Sequence, residues 1–222
     1  MKRFDLHVHT SESSECGRVG ARELVDCYRK TGYDGVVITD HCIPRYVKKF
    51  SSVEEMLMKQ REGYFNARDY GDKVGFHVYY GCEFRFSEAL QTDFLVYGAE
   101  PDYFLERPDL MYAPLVDGLK QMRGDGLLVY QAHPFRNQMQ ITDPALLDGI
   151  EVYNGHVGYD SRNAFAMLWA ENEHLNKISG SDFHHLCDKA RGGILCGDSV
   201  TTYDDLLKVL RTNEYQLVIS NS

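Results

Sequence analysis

The chain has 222 residues, 43% of them hydrophobic and 26% charged, enough apolar material for one sizeable core and too much for wholesale disorder. Thirty-three acidic against 24 basic side chains give a net charge of −9, which argues against a strongly basic nucleic-acid-binding module. No run of eighteen apolar residues exists to span a membrane, and Asp5 and His7 interrupt the N-terminal apolar run too early for a signal peptide.

In chain order, a strand is expected over Phe4–Val8, followed by a helix over Ala21–Lys30 with Leu24, Val25 and Tyr28 on one face. A strand at Gly35–Thr39 precedes a helix over Val53–Asp69, which Ser52 and Glu55 open at capping-box spacing. Strands follow at Phe76–Cys82 and Asp93–Tyr97, then a helix at Leu115–Arg123. Further strands are expected at Leu127–Gln131, Gly149–Tyr153 and Lys177–Ser179, with helices at Ser161–Glu173 and Tyr203–Thr212. Seven strands interleaved with helices indicate a parallel α/β protein. No repeat, low-complexity tract or linker divides it, so a single domain over residues 1–222 is expected. The six cysteines (Cys16, Cys27, Cys42, Cys82, Cys187 and Cys196) never form a Cys-x-x-Cys pair and read as free thiols of a reduced compartment, with a cytoplasmic location expected.

This pattern fits a doubly wound sheet as well as a barrel. The polar residues at the strand ends favour the barrel. The first strand ends in His7 and His9, the second in Asp40 and His41, and the third in Glu83. Asp93 opens the fourth, His133 follows the fifth, Asn154 the sixth, and the seventh leads to Asp182 and His184. In a parallel barrel the C-terminal strand ends converge on one mouth, whereas an open sheet spreads them along an edge. His7 and His9 alternate with the apolar Leu6 and Val8, so both imidazoles project from one face and can reach one cation.

Together, Asp5-Leu6-His7-Val8-His9-Thr10, Ile38-Thr39-Asp40-His41, Gly81-Cys82-Glu83, His133-Pro134 and Ser181-Asp182-Phe183-His184 resemble the PHP family (polymerase and histidinol phosphatase domains) of metal-dependent phosphoesterases. The motifs run in the family's order over residues 5–184, nearly the whole chain. The resemblance implies a distorted (β/α)7 barrel with a cluster of two or three divalent ions at the C-terminal strand ends. It places His7, His9, Glu83 and Asp182 around a first ion, with Glu83 bridging to a second that His133 also holds. Glu15, His41 and His184 would hold a third. The family's further histidine at the second position is missing here, and Asp93 is the nearest substitute.

Imidazole and carboxylate ligands suit Mn, Zn or Fe and discriminate poorly among them. Paired ions about 3.5–4 Å apart clamp the oxygens of an in-line displacement and activate a bridging hydroxide. The expected function is therefore metal-dependent hydrolysis of a small phosphomonoester. The alternatives are a phosphodiesterase or 3′→5′ exonuclease on short oligonucleotides, and a non-catalytic metal-stabilised domain. Asp40 is expected to orient a ligand or move a proton, beside Asp182 and His184 in the catalytic set. Arg18, Arg45, Arg85, Arg136 and Arg191 follow the motifs closely, and Arg136 and Arg191 are the better candidates for a phosphoryl clamp, with Arg18, Asn154 and His156 also at the substrate. The expected partner is a small phosphorylated substrate, without membrane or stable nucleic-acid partners.

Overall fold

Gly35-Val36-Val37-Ile38 is apolar, β-branched and wholly buried, and such a segment becomes a central strand with neighbours on both edges. A computed structural model, describing residues 1–89 and 91–220, shows how the chain is built around it. The first half comprises β1 (Lys2–Val8), α1 (Ala21–Arg29), β2 (Gly35–Ile38), β3 (His41–Cys42), α2 (Val53–Gln60), α3 (Glu62–Val74), β4 (His77–Phe84) and β5 (Phe94–Tyr97). The second half comprises α4 (Leu115–Gly124), β6 (Leu128–Gln131), β7 (Gly149–Asn154), α5 (Asn163–Asn172), β8 (Asn176–Gly180), β9 (Gly192–Cys196), α6 (Tyr203–Thr212) and β10 (Gln216–Ile219).

The strands form one curved sheet in the order β10-β9-β1-β2-β4-β5-β6-β7-β8, with β3 alongside β4. It nearly closes on itself, giving the α/β barrel architecture that the strand-end residues suggested. All seven expected strands are present, joined by β3, β9 and β10. The sheet is not uniformly parallel: β5 runs antiparallel to β4 and β6, and β9 antiparallel to β1 and β10. At the closure the segment after β8 meets β1 through a bridge between Val8 and Phe183. His9 N donates to Phe183 O at 3.0 Å, and Phe183 N to His7 O at 3.2 Å. Side chains tie β10 across the same closure: Ser179 Oγ donates to Val218 O at 2.7 Å and Tyr215 OH to Lys177 O at 3.0 Å.

Alternation along the strands divides the core. Phe4, Leu6, Val37, Leu95, Tyr97, Tyr130 and Ile178 pack into one cluster, which Leu206 and Leu210 of α6 complete. Val36 and Ile38 point the other way, onto Leu24, Val25 and Tyr28 of α1. The remaining faces of β4–β7 lie against α2, α4 and α5.

The helix expected over Val53–Asp69 is two helices. Ser52 Oγ caps its start by accepting from Glu55 N at 3.2 Å, as the spacing predicted. Gln60 then turns inward, donating to Asp40 O and accepting from Tyr80 OH, both at 2.9 Å. Gly63 follows so closely against Thr10 and Asp40 that any side chain would overlap them. The break therefore lets the helix pair press on the loop behind the strand ends. Among the described residues no helix is long and apolar enough to cross a membrane.

Candidate metal centre

The strand ends bring His7, His9, Glu83 and Asp182 together, all essentially inaccessible to solvent. His7 Nε2 lies 3.4 Å from both Glu83 Oε2 and Asp182 Oδ1. His9 Nε2 lies 3.3 and 3.4 Å from the same two oxygens. Ligands on a tetrahedral ion with bonds of about 2.1 Å are separated by about 3.4 Å. His7 Nε2, His9 Nε2 and Glu83 Oε2 are buried without a hydrogen-bond partner. Each such orphan costs about 1–3 kcal/mol, and a cation at the centre would satisfy them together. The donor set fits a divalent ion.

Outer partners fix the ring orientations. Glu151 Oε1 receives the Nδ1 proton of His7 at 2.9 Å, leaving Nε2 as a free lone pair. The other Glu151 oxygen accepts from His133 N at 3.0 Å and Asn154 Nδ2 at 2.9 Å. His9 Nδ1 pairs with Ser14 Oγ at 3.2 Å, and Ser14 Oγ donates to Asp40 Oδ1 at 2.6 Å. Asp40 also accepts from Thr10 N and Oγ1, at 2.8 and 2.6 Å. The expected proton-moving role of Asp40 is not what this arrangement offers: its carboxylate is fully enclosed behind the cluster and acts on His9 through Ser14.

Without a cation the cluster balances its own charge. Burial opposes a proton on His7, but Glu151, Asp182 and Glu83 outweigh it and hold its pKa well above the ordinary value. Burial likewise opposes a second proton on His9, yet the Asp182 and Glu83 carboxylates facing it at 3.4 and 3.3 Å raise it to about 9. Glu83 and Asp182 titrate well below the usual carboxylate range, because the neighbouring imidazoles, and Arg136 beside Asp182, overcome burial. Burial, reinforced by the charge of His9, drops His184 to about 3, so that imidazole is neutral. His133 and Asp182 have φ angles of 29° and 50°, a region non-glycine residues seldom occupy and one that recurs at functional sites.

Around the second expected position, Glu83 Oε1 lies 3.0 Å from His133 Nε2, and Asp93 has an oxygen in the same group. Arg85 grips both Asp93 oxygens, at 2.6 and 2.7 Å, so Asp93 meets a guanidinium from one side and the cluster from the other. Around the third, His41 and His184 converge, but Glu15 is not brought to them. It is exposed and ion-paired with Lys49 at 2.5 Å. Cys16 takes the place beside them, its Sγ 3.1 Å from His41 Nε2 and 3.0 Å from His184 Nε2.

A cavity of about 730 Å³ opens over the cluster, lined among others by Arg18, Arg45, Arg85, Arg136, His156 and Tyr159. Arg136 lies over the Tyr159 ring and donates to Asp182 Oδ2, Asn154 Oδ1 and Ser161 Oγ at 2.8–3.0 Å. Arg191 is not brought to the cavity, because its Nε is spent on Gly155 O at 2.8 Å. Asn154 is buried beneath Arg136, whereas His156 packs at the rim against the His184 ring. Glu151 and Cys16 escaped the sequence reading. An acidic residue within Gly149-Ile150-Glu151-Val152 was the signal for the first, and a thiol one residue from an expected ligand for the second.

No family model matches the chain, nor does any curated protein. Solved structures do. A two-domain Bacteroides vulgatus protein containing a PHP-like metal-dependent phosphoesterase matches with a TM-score of 0.72 at 17% identity, covering 98% of this chain. This chain spans only 64% of that protein's length. A Bifidobacterium adolescentis protein described as a metal-dependent phosphoesterase matches with a TM-score of 0.57 at 19% identity, covering 93% of this chain and 95% of its own. The lesion-specific endonuclease PfuEndoQ from Pyrococcus furiosus matches with a TM-score of 0.62 at 13% identity, covering 97% of this chain and 57% of its own. At these identities the likeness is one of fold, and the chain has the fold of PHP-like phosphoesterases.

Proposed function

We propose that this chain is a metal-dependent hydrolase of phosphate esters, organised as a single domain over residues 1–222 and acting on a small phosphomonoester. The observation that carries the reading is the set of facing atoms on His7, His9, Glu83 and Asp182: each Nε2 lies 3.3–3.4 Å from both carboxylate oxygens, and the two nitrogens and Glu83 Oε2 are buried without a hydrogen-bond partner. The first ion belongs to these four, a second to Glu83 and His133, and a third to His41 and His184, with Mn, Zn or Fe suited to them. Bound there, divalent ions supply Lewis-acid activation of water and neutralise phosphoryl charge.

The protein's own groups do the rest. Arg18 and Arg45, exposed at the rim, offer guanidinium donors to the non-bridging oxygens. Arg136 keeps Asp182 oriented and adds positive charge beneath the same oxygens. Gly158 N donates to His156 Nδ1 at 2.8 Å, so the neutral ring keeps its proton on Nε2 for a substrate or leaving-group oxygen. A bounded cavity on an acidic chain suits a compact substrate better than a long polyanion. A diester is the second reading, favoured by the fold shared with an endonuclease.

The test is Mn²⁺-dependent hydrolysis of p-nitrophenyl phosphate beside bis-p-nitrophenyl phosphate, with His9→Ala as control. Faster monoester cleavage that disappears in the variant is the expected result. Faster diester cleavage would replace the monoester reading, and metal binding without hydrolysis of either ester would favour a binding domain.

A further inference from the structure

The loop after β1 is fastened on both sides of Cys16. Ser14 Oγ accepts from His41 N at 3.1 Å while donating to Asp40, and Arg18 N donates to His184 O at 2.9 Å. Gly17 lies so close to Thr10 O that a side chain there would overlap it, which keeps the turn tight and the thiol over the two imidazoles. Glu15, one residue earlier, points away to Lys49.

Proton counting then identifies an unmet need. His184 Nδ1 faces Asp182 O at 2.8 Å, and a carbonyl can only accept, so the ring proton sits on Nδ1 and Nε2 presents a lone pair to Cys16. His41 Nδ1, 2.8 Å from Glu83 Oε2, is buried without a hydrogen-bond partner. The thiol thus faces the lone pair of His184 Nε2 and the Nε2 of a second imidazole whose own Nδ1 is left orphaned. A cation bound to Cys16 Sγ and both Nε2 atoms would satisfy all three and leave the His41 proton on Nδ1 beside Glu83.

We propose that Cys16 ligates a divalent transition-metal ion through sulfur, together with His41 Nε2 and His184 Nε2, at the third position in place of Glu15. The inference rests on the metal-cluster reading above and deepens it. On binding, the sulfur–metal bond replaces the S–H bond and the proton leaves to solvent. A sulfur ligand makes this position softer than its carboxylate-bearing neighbours, so zinc is preferred here over manganese.

Metal-stripped full-length protein titrated with Co²⁺ tests the proposal through the near-ultraviolet sulfur-to-cobalt charge-transfer band. The wild type and Glu15→Gln should develop the band. Cys16→Ser should lose it, with one ion fewer per chain by elemental analysis and cobalt retained elsewhere. Cobalt bound without the band, or a band that survives in Cys16→Ser, would overturn the thiolate ligand while leaving the phosphoesterase reading intact. A wild type that binds no cobalt would overturn both.

Discussion

Glu151 shows how much of a metal site lies outside its ligands. One carboxylate receives the His7 ring proton and holds the backbone and side chain of two other cluster residues. Removing such an outer partner typically costs about 10–100-fold in metal affinity or activity. Glu151→Gln should weaken metal binding by about that factor, read by competition with a chelator, while circular dichroism stays unchanged. His9→Ala and Asp182→Ala should each abolish phosphate release and leave the fold soluble; retained activity in both would refute the cluster mechanism. Arg85 and Asp93 make a sharper test. If Asp93 serves mainly to hold Arg85, Asp93→Ala leaves the metal count unchanged and raises KM for an anionic substrate; loss of one ion would make it a ligand instead. The strand-end histidines and acids were legible because chemistry-bearing residues rarely terminate buried apolar runs. Cys16 was not, because a loop's path is set by remote contacts such as Gly17 on Thr10, which no local pattern encodes.

At the scale of elements, local signals succeeded where they were strong. Ser52 ahead of Glu55 is one, and a capping box that was not anticipated opens α6: Thr202 Oγ1 accepts from Asp205 N at 3.2 Å, and Asp205 returns bonds to the N–H groups of Thr201 and Thr202, each at 3.0 Å. Thr202→Ala should cost about 1 kcal/mol by chemical denaturation. Those backbone bonds lower Asp205 to about 2 from an ordinary 3.8, so its contribution is present above the ordinary value and disappears as pH falls through about 2. Asp205→Asn should flatten that acid limb of the stability profile. The antiparallel β5 departs from the parallel sheet that the strand pattern indicated, although the spacing made it readable: nine residues separate it from β4, too few for the crossover a parallel neighbour requires. The Gly192-Gly193 start of β9 was not readable. It looks like a turn, and only the close approach of Gly192 to the Gly180 carbonyl explains a strand there. Gly180 itself has no room for a side chain beside His7 and Glu151. Gly180→Ala should therefore displace His7 and reduce metal content even if the protein still folds.

For the whole molecule, metal and fold should be thermodynamically coupled. Ions that bind the assembled cluster and not the unfolded chain stabilise by about 4 kcal/mol when present at about a thousand times their dissociation constant. Chelator treatment should lower the melting temperature, and added zinc or manganese should restore it. The closure of the sheet gives that coupling a location. His7 and His9 leave from one side of it, Asp182 and His184 from the other, and between them run the backbone bonds of Phe183 to His7 and His9. The ligands thus straddle the line along which the sheet meets itself, and an ion among them is a rivet through an overlapping hoop. Loading should slow amide exchange first at His9 and Phe183, well before any distant strand responds, so the shell tightens from its own joint outward.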